Sequence, residues 1–347
     1  MPQKATTTET ASSQDAANRR SVANWLFLCC GAVVFMIVIG GITRLTESGL
    51  SMIEWRPLVG MVPPLSVGEW ERIFGLYRET PEFRIENPHI TLDAFKSIFW
   101  WEYIHRLWGR LIGVLFAAGF LWLLLRRRIN KALLPHLAAI FILGGAQGVI
   151  GWWMVMSGFA DRTDVSQYRL VIHLGMAFFI LGYMLWLALS LIRRETPEQV
   201  PANVRRLSFV MLGVVSVTVL SGGLTAGLDA GLIYNTWPLI DGGIVPPDMF
   251  SEVPIWSNIF ENAATIQFDH RSMAYVTIGT VFTLWWKSHR IPRTARAIHM
   301  LLAVVIAQAT LGILALVFIV PLPLAIIHQI GAIALFSTAV WTAHAFR

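Results

Sequence analysis

Eight runs of about twenty mostly apolar residues dominate the chain, near 24–43, 103–125, 133–155, 169–192, 206–227, 266–287, 296–318 and 322–345. A helix of roughly 20 apolar residues crosses the hydrocarbon of a bilayer, and a lone segment in lipid satisfies its backbone only by winding into a helix. The predicted fold class is an all-α integral membrane protein with eight transmembrane helices. Charged residues make up 14% of the chain, against about 25% in a soluble domain. The net charge of +6 therefore concerns membrane orientation and gives no argument for a nucleic-acid partner.

Residues 1–23 are polar and predict a disordered cytoplasmic tail. Glu9 and Asp15 and the lack of an apolar core argue against a secretory signal or an acid-poor transit peptide. Cys29 and Cys30 are adjacent in the first apolar run, where they read as small buried apolar residues rather than a redox pair. The segments 1–23, 126–132, 193–205 and 287–296 carry Arg19, Arg20, Arg126, Arg127, Arg128, Lys131, Arg193, Arg194, Arg205, Lys287, Arg290, Arg293 and Arg296, whereas 228–265 holds no Lys or Arg. By the positive-inside rule both termini are cytoplasmic, and Trp100, Trp101, Trp152 and Trp153 fall at the outer interface. Two outer loops, 44–102 and 228–265, are too long for plain connections. Within the first, Trp70 to Tyr77 is amphipathic and fits a helix lying along the membrane surface.

The two halves repeat. Gly40-Gly41-Ile42-Thr43 matches Gly222-Gly223-Leu224-Thr225, Glu47 matches Asp229, Trp55 matches Trp237, and Val62-Pro63-Pro64 matches Val245-Pro246-Pro247. Tyr103-Ile104-His105-Arg106 matches Phe268-Asp269-His270-Arg271, and Ile172-His173 matches Ile327-His328. A unit of four helices keeps its orientation when repeated, which predicts two pseudo-symmetric four-helix bundles. Parallel repeats also occur in transporters, so the repeat alone does not decide function.

Each of these four histidines begins a span on the outer side. Ionisable groups inside a membrane are costly and mark function by default. A four-helix bundle can hold a cofactor between facing helices, and haem iron accepts two imidazoles. His105 with His173 and His270 with His328 thus predict two haem sites, with iron bound by each pair. The plainer alternative, a hydrogen-bonded core histidine, fits any one of them better than it fits four at duplicated places. Arg106 and Arg271 suit haem propionates, or else snorkel to lipid headgroups. Arg110 lies one turn deeper and has no basic counterpart. Glu102, three residues before His105, faces the same side of its helix; its counterpart is Gln267. A carboxylate can take a proton or stabilise positive charge and an amide cannot ionise, so the first half is expected to do chemistry and the second to pass electrons. The alternative is an interfacial Glu that caps its span. Gln147 and Gln308 read as interhelical hydrogen bonds, or as groups that orient a ligand histidine. Gly144-x-x-x-Gly148 predicts close approach of a neighbouring helix. His89, His136, His289, His299 and His344 lack duplicated partners.

Gly40-Gly41-Ile42-Thr43-Arg44-Leu45-Thr46-Glu47-Ser48-Gly49-Leu50-Ser51-Met52, Trp55-Arg56-Pro57, Glu102-Tyr103-Ile104-His105-Arg106-Leu107-Trp108-Gly109-Arg110, Phe268-Asp269-His270-Arg271 and Ile327-His328-Gln329 resemble the haem A synthase family in its proteobacterial and mitochondrial branch. The resemblance covers about residues 24–345. It implies oxidation of the C8 methyl of haem O to a formyl group, giving haem A for cytochrome oxidase. It further implies a substrate haem in the N-terminal bundle, 24–192, a haem b in the C-terminal bundle, 206–347, a cytoplasmic linker at 193–205, and a functional role for Glu102. Some bacterial relatives carry an outer-loop cysteine pair, which this chain lacks. Implied partners are membrane lipid, haem O synthase, cytochrome oxidase assembly factors and an electron acceptor that the sequence does not specify. A homo-oligomer stays open. The bacterial inner membrane is favoured over the mitochondrial one. A membrane bis-histidine b-type cytochrome exchanging electrons with quinone is the alternative activity, and a transporter or haem-handling chaperone is a third.

Overall fold

The computed structural model describes residues 3–55, 59–160, 162–193 and 200–347. Met1 and Pro2 of the expected tail, Arg56 and Pro57 of the Trp55-Arg56-Pro57 motif, and residues 194–199 of the expected linker lie outside the described residues. The described residues form eleven α-helices: α1 (Gln3–Leu45), α2 (Val67–Tyr77), α3 (Pro81–Ile85), α4 (Leu92–Leu125), α5 (Leu134–Val155), α6 (Gln167–Ile192), α7 (Ala202–Gly227), α8 (Asn258–Glu261), α9 (Ala263–Ser288), α10 (Pro292–Val317) and α11 (Leu322–Ala345), joined by short 3-10 turns.

Seven helices are long and apolar enough to cross a membrane: α1, α4, α5, α6, α7, α10 and α11. The eighth expected span, α9, has the same 26-residue length as α7 and α10. It falls short in apolarity, because Gln267, Asp269, His270, Arg271 and Lys287 dilute it. Helix α1 begins at Gln3, so the expected unstructured tail is helical over its described part; no glycine or proline interrupts the chain between Gln3 and Gly31.

Helix α4 also starts early, at Leu92 rather than near 103, with Thr91 Oγ1 accepting from Ala94 N at 3.3 Å. The added turns carry Phe95 and Phe99, which with Tyr77 and Tyr103 form a small aromatic core against Trp70, Phe74 and Phe83. The amphipathic stretch from Trp70 to Tyr77 thus buries its apolar face on α4, where the sequence pointed to the membrane surface. Burying these aromatic side chains is worth roughly 1.5–3 kcal/mol each, which fixes the first outer loop over the end of the helices.

Helix α1 packs on α4 and α6, and α5 packs on both α4 and α6. In the second half α7 packs on α9 and α11, and α10 on both α9 and α11. Contacts of α6 with α7 and α11, and of α1 with α11, join the halves. The repeat is visible in the backbone: Glu47 and Asp229, matched in sequence, both turn left-handed where α1 and α7 end, at φ 50° and 49°.

The main apolar core, with Leu26, Leu123, Leu137, Leu181, Met211, Leu284, Ile298 and Val340, fills the helix halves remote from the histidines. Cys29 and Cys30 belong to it and are unpaired, as the sequence indicated. The core stops short of the histidines: residues 104–115, 168–177, 268–276 and 322–332 contribute no fully buried side chain.

Candidate functional site

Each of the four histidines lies against a glycine of the preceding long helix. A methyl group built on Gly40 of α1 would lie 3.3 Å from His105 Nε2, and one on Gly151 of α5 would lie 2.8 Å from His173 Cε1. In the second half, Gly222 of α7 stands 3.0 Å from His270 Cε1 and Gly312 of α10 stands 2.9 Å from His328 Cε1, by the same measure. Real Cβ contacts are rarely this close, so each imidazole occupies the room left by a missing side chain. Gly144 and Gly148 have open space instead; the close approach expected of them does not occur, and Gly151, one turn on, is the glycine in use.

His105 and His173 lie within electrostatic reach of one another, as do His270 and His328. The pairs expected from the sequence are thus brought together. Among the described residues no group of three or more His, Cys, Asp or Glu converges as a metal site. A metal held only by protein normally needs more than two ligands. Two imidazoles suit an ion whose other positions are filled by a macrocycle, which is what haem provides. The donor set, the glycine recesses and the thin core at this level all fit a planar haem between the helices of each half.

Gln147 Nε2 donates to the backbone carbonyl of His173 at 2.9 Å, and Gln308 Nε2 lies 3.4 Å from His328 Nε2. Both glutamines therefore engage a histidine residue from the neighbouring helix. The other histidines serve locally: His136 Nδ1 is 2.7 Å from Tyr183 Oη, His344 Nε2 is 3.2 Å from Ser190 Oγ, His289 and His299 bond within their helices, and His89 is exposed.

The carboxylate of Glu102 is buried. Its Oε2 accepts from Ser51 Oγ and from Met52 N, both at 2.7 Å, and its Oε1 accepts from Arg106. Arg106 also donates to the carbonyls of Met52 at 2.7 Å and Glu54 at 3.3 Å and stacks over Trp55. Gln267 occupies the same place in the second half with the opposite polarity. Its Nε2 donates to the carbonyls of Ala230 and Ile233 at 2.7 and 2.6 Å, and its Oε1 accepts from Arg271 at 3.0 Å. Arg271 then donates to Tyr234 O and Thr236 O. Glu102 and Gln267 thus each clamp an outer loop over their histidine pair, and each arginine completes the clamp. Arg271 is not spent by this: its Nε is buried with no partner among the described residues, a donor suited to an anionic group. Arg110, Arg106 and Tyr103 line a cavity of about 380 Å³ under the first outer loop.

Two residues at the site, Ser221 and Gln329, have no role assigned from the sequence, although Gln329 ends the Ile327-His328-Gln329 motif. Ser221 Oγ lies 2.9 Å from His270 Nδ1. Gln329, beside His328, donates to Ile37 O across the two halves at 2.6 Å. The repeat held the one available signal for Ser221, since Ile39 stands at its place in the first half.

Helices of membrane length and a histidine pair repeated in each half define a class: a multi-pass helical membrane protein with two matched imidazole sites. Residues 23–340 match the cytochrome oxidase assembly protein family. The chain is 48% identical to the heme A synthase of Paramagnetospirillum magneticum over 95% of both chains. It is 44% identical to that of Nitrosospira multiformis, over 100% of this chain and 97% of the relative. It is 43% identical to that of Parvibaculum lavamentivorans, over 94% and 95%. The chain belongs to the haem A synthase family of cytochrome oxidase assembly proteins.

Proposed function

We propose that this chain converts haem O to haem A, oxidising the C8 methyl to a formyl group. The observation that carries the reading is an asymmetry inside a symmetry. Both halves place two histidines against two glycines, yet three residues before its first histidine the first half has a loop-holding carboxylate, Glu102, where the second has an amide, Gln267. The first half is then the substrate half, with His105 and His173 on the haem O iron. The second half holds haem b between His270 and His328. When bound, haem O supplies the reacting methyl and haem b a one-electron carrier.

The chain's own residues position and polarise. His105 and His173 would hold the substrate haem between α4 and α6. Glu102 holds a buried negative charge on the face of α4 that carries His105, where it favours positive charge developing on a nearby carbon. Ser51, Met52 N and Arg106 keep that carboxylate in place and cover it from outer water. Arg271 would offer its unpaired Nε–H, and Arg106 its guanidinium charge, to propionates.

The same reading completes the topology. α9 is the eighth span, the two halves are four-helix bundles, and the termini are cytoplasmic in a bacterial inner membrane. The histidine pairs then lie in the outer leaflet. Haem O synthase supplies the substrate and oxidase assembly factors receive the product.

Mass analysis of haems extracted from the purified protein, made with a haem O supply, tests this. Haem B together with haem O, its hydroxylated form or haem A is expected. Haem B alone, two per chain, would instead support an electron-transferring cytochrome. In Glu102→Ala, haem A should disappear while haem B persists; a normal haem A yield would remove Glu102 from the mechanism.

A further inference from the structure

The first histidines of the two halves differ in how their rings are held. Ser221 Oγ lies within hydrogen-bond distance of both Thr218 O, at 2.8 Å, and His270 Nδ1, at 2.9 Å; donating to the first, it accepts from the second. In that arrangement His270 carries its proton on Nδ1 and keeps the Nε2 lone pair free for a metal. The ring meets Gly222 through Cε1, with Nδ1 and Nε2 flanking it at 3.6 and 3.7 Å from a methyl built there.

His105 has none of this. The residue at the place of Ser221 is Ile39, buried and without a polar side-chain atom. Among the described residues nothing bonds the His105 ring, and the atom it presents to Gly40 is Nε2 itself, at 3.3 Å from a methyl built there. No hydrogen bond among the described residues holds this ring in one orientation. The second histidines differ at another atom, since Gln308 Nε2 lies 3.4 Å from His328 Nε2 whereas Gln147 reaches only the backbone carbonyl of His173. His173 and His328 both meet their glycine through Cε1, and both have a buried Nδ1 with no partner among the described residues.

We infer that the pair Ile39 and Ser221 decides which half releases its haem: Ser221 locks His270 as a permanent ligand, and Ile39 leaves His105 free to turn so that its haem exchanges. This rests on the proposed function, in which one haem is substrate and product and must come and go while the other stays. Partners that orient a ligand histidine typically change metal affinity by about 10–100-fold.

The test uses the full chain, haem-loaded in detergent or nanodiscs, with apomyoglobin as haem acceptor. Release rates are followed for each haem, and extracted haems are identified by mass. Ser221→Ala is expected to speed loss of the second-half haem by about 10–100-fold, shift its reduction potential, and leave the first-half haem at its ordinary rate. Ser221→Thr, which keeps the hydroxyl, should restore retention. Ile39→Ser should slow release from the first half. Wild-type release and potential in Ser221→Ala would overturn the inference, as would equal acceleration at both sites, which marks general loosening. Haem identity answers separately: two haem B groups per chain would remove the proposed function, whatever the release rates show.

Discussion

Gln329 donates to the backbone carbonyl of Ile37 at 2.6 Å, tying α11, which carries His328, to α1, whose Gly40 receives His105. Gly41, next along α1, faces the Gln329 side chain. The repeat does the same with other residues: Gly222 receives His270, and Gly223 faces Leu174, the neighbour of His173, with a built methyl 3.1 Å away. Each double glycine thus serves both halves. Its first member seats a histidine of its own half, and its second admits the residue after a histidine of the other half.

Gly41→Ala should therefore disturb both halves at once. The added methyl would overlap the Gln329 amide, at a cost of about 1–3 kcal/mol for overpacking. Gly151→Ala should instead affect only the seat of His173. Gly144→Ala has open space and should stabilise α5 by roughly 0.5–1 kcal/mol, since alanine suits a helix interior better than glycine. Thermal unfolding with haem content measured alongside checks all three. A destabilised Gly144→Ala would mean that another element covers this face of α5.

Glu82 predicts a pH dependence in the first outer loop. It is buried, its Oε2 has no partner among the described residues, and burial pushes its pKa up to about 8. The nearby charge of Glu102 adds to this, with Glu47 and Asp164 also facing it and the Tyr77 hydroxyl opposing. A folded-state pKa above the unfolded value means stability that is full below the ordinary carboxylate range and lost as pH rises through about 8. Glu82→Gln should remove that slope, melting like the parent at pH 5 and above it at pH 9. Parallel curves across the range would show that Glu82 stays ionised.

Seven of the eight expected spans, and the repeat that marks the histidines, were legible because their signals are local. An apolar run needs no partner to be recognised, and a duplicated His-Arg announces itself by repetition. The start of α4 was not, because Leu92 to Trp101 mixes Asp93 and Lys96 with aromatic residues that make sense only once α2 lies on them. Gly144-x-x-x-Gly148 misled for a related reason: spacing puts two glycines on one face but does not say what that face meets. The clamp function of Glu102 and Arg106 was out of reach, since its partners Ser51, Met52 and Glu54 are about fifty residues away in a loop whose path no pattern fixes.

Arg44 links the halves by charge as well, with Nη2 2.8 Å from Asp229 Oδ2 and Nη1 3.9 Å from Asp164. Asp229 is half exposed, at 51% of its side chain, so the pair should contribute only about 0–1 kcal/mol. Its backbone matters more, because φ is 49° and asparagine tolerates that region far better than alanine. Asp229→Asn should thus be nearly neutral, and Asp229→Ala should lose roughly 1–2 kcal/mol. Denaturant titration of the two variants separates charge from conformation; equal losses would place the effect in the ion pair.

Exchanging Glu102 and Gln267 tests whether the halves can trade their loop clamps. In Glu102→Gln, an amide N–H must face either Met52 N–H or Arg106, and one hydrogen bond is lost whichever way the side chain flips. In Gln267→Glu, a carboxylate oxygen would face the carbonyls of Ala230 and Ile233, which now accept from Nε2 at 2.7 and 2.6 Å. Each change leaves a buried polar group unpaired, for about 1–3 kcal/mol. The loss in Gln267→Glu should shrink at low pH, where a protonated carboxyl can donate to one carbonyl. Because the loops differ in what they offer, N–H and O–H in the first half and C=O in the second, the double exchange should add the two losses rather than cancel them. Unfolding of the singles and the double at pH 5 and pH 8 decides it. Recovery of parental stability in the double would mean that the loops adapt to whichever side chain they meet, and that the carboxylate at Glu102 is not dictated by the loop it holds.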